Sequence, residues 1–487
     1  MISSYVLELL EPQFNNKILI IDGERLDSAI HYSTELRNQG FRVLWYQEAL
    51  TFRLKYEDEV KNDKTKLVVF AQATSYIPYD LRCRFREFNL TFAGLFPKLN
   101  EEVLSSDKSL DLDLLCLAYK NNFDDLKEKE QTKIFIDNKV NSRKNAERCI
   151  NNLYSSISDS VDKVPHYSNW FSIAETKARI DVLAVKYQID FDTSNINRLF
   201  QKYILEIFGR LSTEINEKTP VLVSKAMEYM HDHSDKFVVI VMDGMSKFDW
   251  HIISTSFRNI KYEETAVFAM IPTTTSISRQ CLLSNKYPCQ LIEPWKQSKE
   301  KDEFVSCAKE LGYKENQIAY GRGYNTCFDS FVCCGAVIIN DIDDLVHAQT
   351  QGRLGMLNDV RVLASQHKLV DMTKRFIKEG FDVYISADHG NTLCTGLGKL
   401  MKTGVETETK SKRMLVLNNF ADKDMLMQKY NLINYPKYYL NKTFDYLICN
   451  TGESFDVKGE EVMTHGGISL DEVVVPFIKI KAVDIDG

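Results

Sequence analysis

The 487-residue sequence has no C-x-x-C pair; its eleven cysteines stand apart at 83, 116, 149, 281, 289, 307, 327, 333, 334, 394 and 449. Scattered thiols in a chain of this size imply reduced cysteines and exclude a disulfide framework. No apolar run reaches the roughly 18 residues that a membrane helix needs. The opening MISSYVLELLEPQFNN has neither a positively charged start nor a long apolar core, so a cytoplasmic protein without membrane contact is expected. No G-x-G-x-x-G follows the first apolar run, which removes support for dinucleotide binding. A basic excess is also missing. With 61 Lys and Arg against 68 Asp and Glu the formal charge is -7, which argues against a basic coat but leaves a local groove for a nucleotide or nucleic acid open. Internal repeats and low-complexity tracts are absent.

What remains is 44% hydrophobic and 26% charged, the balance of a globular chain long enough for two to four domains. KILIID (17–22), FRVLWY (41–46) and KLVVFA (66–71) are short β-type runs separated by polar helix-like stretches, as in βαβ units. From about 90 to 230 the pattern turns helical, as in LDLDLLCLAYKNNFDDLKEKEQTK. The expected division is a small α/β domain over 1–110, a mainly helical segment over 111–230 and a larger α/β domain over 231–487.

In this last segment the apolar runs end in chemistry. FVVIVMDG closes on Asp243 and Gly244, CCGAVIINDIDD reaches Asp343, FDVYISADHG ends in Asp388, His389 and Gly390, and MTHGGISLDEVVVPFIKI sets His465 before a last strand. Runs of this kind lie buried in parallel sheets, and ligands gather beyond the carboxyl ends of such strands. The stretch 351–380 is an amphipathic helix candidate. Taken singly, Asp243 could cap a helix, Asp343 and His347 could be a solvated i,i+4 pair, and Asp388-His389-Gly390 a plain turn. Their order along one α/β segment favours a site.

The sequence has nine histidines, so placement matters. Asp343 and His347 sit four apart, on one face of a helix. With Asp243, Asp388, His389 and His465 they make three carboxylates and three imidazoles, enough for two divalent ions with mixed oxygen and nitrogen ligands. Two such ions call for a nucleophile. The hydroxyl-rich IPTTTSISR segment offers Thr273, Thr274 and Thr275, near the start of a helix whose free N–H groups suit a phosphate. Arg279, one turn later, could clamp the same group. Asp341 and Asp344 are weaker ligand candidates because only Asp343 has the four-residue separation from His347. His231 and His233 are expected in a loop at the opposite end of the strand that leads to Asp243.

MDGMSKFDW, PTTTSISR, Asp343 to His347, ADHG and THGGISLDEVVVP together resemble the PglZ domain of the alkaline phosphatase superfamily, most closely over about 235–480. LFPKL at 95–99 is similar to the region that precedes the domain in phage-defence PglZ proteins. The resemblance implies an α/β fold with a three-layer αβα core and two metals, zinc first, with manganese or magnesium as alternatives. It assigns Asp343, His347 and His465 to one ion and Asp243, Asp388, His389 and Thr275 to the other. A P-T-x-T pattern selects Thr275 as nucleophile. Asn285 stands where the family usually has glycine. The implied activity is a phosphoesterase, preferably a phosphodiesterase on a nucleotide or oligonucleotide in phage defence of the Pgl and BREX kinds, working through a phospho-threonine with other defence proteins as partners. A phosphomonoesterase or phosphomutase on a small substrate, and a metal-stabilised assembly subunit without activity, are the competing readings.

Overall fold

The computed structural model describes all residues except 1, 25, 31, 108, 123, 162–165, 259, 400–410, 419–421 and 483–487. The chain divides into two compact units, one running to Asn151 and the other beginning at Asn152. The helical stretch expected between the two α/β regions is shared between them. Among the described residues no helix is long and apolar enough to cross a membrane.

The first unit holds a four-stranded parallel sheet of β1 (Lys17–Ile21), β2 (Arg42–Trp45), β3 (Leu67–Ala71) and β4 (Arg86–Asn89), ordered β2-β3-β1-β4. The first three are the apolar runs read from the sequence. The fourth, REFN, is too polar to announce itself. Leu19, Leu44, Leu67 and Val69 pack with Phe52 and Val60 of the helix Ala49–Lys61 to form a core.

Along the second unit run β5 (Phe237–Met242), β6 (Glu263–Phe268), β7 (Ile318–Arg322), β8 (Cys334–Ile339), β9 (Asp382–Ser386), β10 (Thr392–Gly396), β11 (Met414–Leu417), β12 (Ile433–Asn434), β13 (Asp445–Ile448), β14 (Glu453–Ser454), β15 (Glu461–Thr464) and β16 (Val474–Ile480). Six form the main sheet, ordered β6-β16-β9-β5-β8-β7, and two three-stranded sheets are ordered β14-β10-β15 and β11-β13-β12. Every residue of β5 and β8 is buried, which requires cover on both faces of the sheet. The helices Tyr167–Lys186, Lys247–Ile253 and Gly352–Ser365 pack together as one group, and Ala226–His233, Thr275–Ser284 and Glu300–Glu310 as another. The result is a three-layer αβα domain.

The pairing explains why distant residues meet. β5 is parallel to β8 and β9, whereas β16 runs antiparallel to both β9 and β6. The segments that follow β5, β8 and β9 therefore share an edge with the segment that precedes β16. The register Val241↔Ser386, continued two steps, sets Asp243 opposite Asp388.

Two local expectations are revised, and the place of Asn285 is explained. The stretch 351–380 is two helices, Gly352–Ser365 and Lys368–Lys378, because His367 takes φ +55° between them. His231 and His233 lie on the helix Ala226–His233, not in a loop. Asn285 adopts φ +54° at the end of the helix Thr275–Ser284, and its Oδ1 accepts from the Glu228 amide at 3.1 Å. Asparagine tolerates that left-handed conformation better than most residues, so it serves the turn that glycine would serve.

Candidate metal centre

Six side chains converge at this edge in two clusters. Asp343, His347 and His465 bring ligand atoms within 4.8 Å of one another, and so do Asp243, Asp388 and His389. The first is the outer cluster: His347 Nε2 and His465 Nε2 lie 3.4 and 3.5 Å from Asp343 Oδ1, and the His347 side chain is 49% exposed. The second is inner, with all three side chains buried. A wall joins them, for the His389 and His465 rings stack at 4.2 Å between centroids.

Backbone contacts set the imidazole tautomers. His465 Nδ1 lies 3.0 Å from the Thr273 carbonyl and His389 Nδ1 lies 3.0 Å from the Gly390 carbonyl. A carbonyl only accepts, so each Nδ1 carries the hydrogen and each Nε2 presents a lone pair to its cluster. Burial first, and then the neighbouring His389, lower the His465 pKa to about 4, so that ring is neutral as a ligand must be. The Asp343 pKa sits at about 2; burial works against this, but the surrounding imidazoles of His347, His465 and His389 prevail. Asp388 is pushed well up by burial and by the charge of Asp243, with Arg279 opposing.

Thr275 opens the helix Thr275–Ser284. Its Oγ1 lies 3.1 Å from His389 Nε2 and 3.4 Å from Asp243 Oδ1. The hydroxyl thus faces two acceptors, and the first amides of a helix lack partners within it. Thr273 and Thr274 are placed otherwise. Thr273 Oγ1 donates to the Gly467 carbonyl at 2.9 Å and accepts from the Gly466 amide at 3.1 Å, while Thr274 is buried at the helix cap.

Arg279 does not stand at an open phosphate face. It is completely buried; Nη1 donates to Asp243 Oδ2 at 2.6 Å and lies 3.8 Å from Asp388 Oδ2, and Nε donates to Glu300 Oε2 at 2.6 Å. The oxyanion clamp expected from the sequence is instead a counter-charge behind two ligands. Asp341 accepts from the Tyr324 hydroxyl at 3.0 Å and Asp344 is exposed, which leaves Asp343 as the acid of its helix in the cluster.

Supporting residues escaped the sequence reading. Ser278 Oγ donates to the Asp388 carbonyl at 2.5 Å and accepts from the Met270 amide at 2.9 Å. Asn391 Nδ2 donates to the Gly244 carbonyl and to Asp249, the acid that completes the capping box with Ser246. Glu472 accepts from the Gly467 amide and pairs with buried Arg413, steadying the loop after His465. Two glycines are required, the first by its backbone conformation and the second by space. Gly244 has φ +73°, donates its amide to Asp388 Oδ1 and brings its backbone against Asp343. A Cβ on Gly390 would lie 2.0 Å from the Asp471 carbonyl oxygen.

The fit to metal ions rests on orphaned acceptors. Asp343 Oδ1 and Asp388 Oδ2 are buried without a hydrogen-bond partner, an expensive state for a carboxylate oxygen. Each belongs to a set of carboxylate oxygen and imidazole nitrogen atoms of the type that divalent transition ions take. An αβα sheet edge carrying two such clusters beside a helix-borne hydroxyl can hold two cations next to a nucleophile. Residues 332–480 match the family model described as the BREX system PglZ alkaline phosphatase-like domain. The match includes Asp343, His347, Asp388, His389 and His465; Asp243, Thr275 and Arg279 precede it and join the site through the fold.

Among solved structures, human ectonucleotide pyrophosphatase/phosphodiesterase 5 is similar at 14% identity, with 51% of this chain and 89% of that chain covered and a TM-score of 0.36. The murine ectonucleotide pyrophosphatase/phosphodiesterase 5 gives 11%, 50%, 88% and 0.35. Phosphonoacetate hydrolase from Sinorhizobium meliloti 1021 gives 10%, 50%, 90% and 0.30. No curated protein matches the chain significantly.

Proposed function

We propose that the protein is a metal-dependent phosphoesterase, a phosphodiesterase acting on a nucleotide or oligonucleotide in phage defence, with Thr275 as nucleophile. One observation carries the reading: the Thr275 hydroxyl lies between His389 and Asp243 at a helix start, beside a second cluster of metal-ligand type. Asp343, His347 and His465 would hold one divalent ion, and Asp243, Asp388, His389 and Thr275 the other. Bound ions supply positive charge and Lewis acidity to the nucleophile and to the phosphoryl group. Zinc suits the mixed imidazole and carboxylate sets, with manganese and magnesium as the alternatives.

Thr275 Oγ1 gives up its proton to solvent and attacks phosphorus, the bond from phosphorus to the leaving alkoxide breaks, the alkoxide takes a proton from solvent, and a phospho-threonine forms. Water then attacks the same phosphorus and returns the hydroxyl. The first amides of the helix Thr275–Ser284 face the phosphoryl oxygens. Arg279 keeps Asp243 and Asp388 in place, and Ser278 and Asn391 hold the backbone that carries the ligands. The defence role, the cytoplasmic location and the association with other defence proteins follow the BREX name of the matched model.

Metal content measured beside turnover of bis-p-nitrophenyl phosphate and p-nitrophenyl phosphate tests this. Two ions with preference for the diester are expected. Preference for the monoester would move the reading to a phosphomonoesterase. Two ions with no turnover of either ester would favour a metal-stabilised assembly subunit, and a protein that takes up no ion would end the phosphoesterase reading.

A further inference from the structure

Glu300 has no place in the chemistry above, yet it is buried and surrounded by donors. It receives Arg279 Nε at 2.6 Å on one oxygen, and the Tyr320 hydroxyl and Arg322 on the other. Tyr320 and Arg322 belong to β7, the edge strand of the main sheet. The contacts therefore run from a sheet edge through Glu300 and Arg279 to Asp243, where Nη1 occupies Oδ2. Oδ1 is the oxygen left over, and it is the one that lies 3.4 Å from Thr275 Oγ1 and 3.8 Å from His389 Nε2.

We propose that Glu300 is a positioning residue that anchors Arg279 so that Asp243 presents a single oxygen, Oδ1, to the inner cluster. The inference rests on the metal-centre reading and adds to it the means by which the inner ligands are arranged before any ion arrives. The physical reason is competition. A guanidinium held only by Asp243 would be free to turn and engage both carboxylate oxygens, since bidentate pairing is the favoured geometry of that couple. Glu300 holds Nε at a fixed distance on the other side and blocks the turn. Residues that orient metal ligands in this way change affinity by about 10- to 100-fold when removed. Tyr320, whose hydroxyl is held protonated by burial and by Glu300, and Arg322 keep the anchor itself in place.

The test uses the full chain, with Zn2+ and Mn2+ as probes, and compares wild type with Glu300→Gln, Glu300→Asp, Tyr320→Phe and Arg322→Gln. Glu300→Gln is expected to weaken one of the two ions by about 10- to 100-fold and leave the other unchanged, with partial recovery in Glu300→Asp. Arg322→Gln and Tyr320→Phe should give the same selective loss to a smaller degree, and they serve if Glu300→Gln does not fold. Wild-type affinity for both ions in these variants would overturn the proposal, as would equal weakening of both together with a fallen melting temperature. A second readout needs no metal: a double-mutant cycle of Glu300→Gln with Asp243→Asn in the melting of the chelated protein. Non-additive effects support the connection, and additive ones reject it. Non-additivity in a protein that binds no ion would uphold the Glu300 connection and reject the phosphoesterase reading, so the two failures are distinct.

Discussion

The inner and outer clusters use the same residue types and differ in what balances their charge. The inner one buries two carboxylates side by side and keeps a resident cation, Arg279, against them. The outer one has a single carboxylate between two imidazoles, with no Arg or Lys ion-paired to that carboxylate among the described residues, and His347 stands half in solvent. Burial of like charges is costly unless a counter-charge is present. On the proposed reading the protein itself offsets part of the inner charge through Arg279, whereas the outer cluster would depend more on the ion it binds.

The largest effect that would sharpen this contrast is the loss of turnover in Thr275→Ala, expected at about 10⁴-fold or more, near 5.5 kcal/mol in barrier height. Metal content should stay mostly intact, because Asp243, Asp388 and His389 remain; unchanged turnover would reject Thr275 as the nucleophile. Next comes Asp243→Ala, which strips Arg279 of a partner in the interior and should cost about 3–5 kcal/mol of stability, read from denaturant unfolding. A loss below 1 kcal/mol would mean that Arg279 does not depend on Asp243.

Chelation comes third. Ions present at about 100 times their Kd stabilise by about 2.7 kcal/mol, so a chelator should lower the melting temperature, and less so in Asp388→Asn, where one inner ligand is lost. The smallest effect belongs to His347→Ala. At a half-exposed position stability should move by no more than about 0.5 kcal/mol, while the outer ion weakens, seen as one ion lost on dialysis. Loss of both ions would show that the clusters are a single unit after all.

The convergence of six residues was legible because Asp243, Asp343, Asp388, His389 and His465 stand just beyond or before apolar runs, and His347 follows Asp343 at helical spacing. The three parallel strands of the first unit and the αβα core were legible for the same reason. Glu300 was hidden in WKQSKEKDEF, a stretch that reads as a solvated helix face, and only the fold shows that it is buried. Arg279 was noticed, but its partners lie 21 and 36 residues away in sequence, beyond any local spacing rule. The break at His367 left no signal because the residue supplies neither glycine nor proline to mark it.

In the main sheet β16 lies between β6 and β9, which have no pairing with each other. The segment carrying the threonine and the segment carrying Asp388 and His389 thus belong to neighbouring pieces stitched by a strand synthesised after both. During synthesis β9, β5, β8 and β7 can pair while β6, which leads to Thr275, stays unjoined. On the proposed reading, a complete inner site should then be among the last properties that the folding chain acquires.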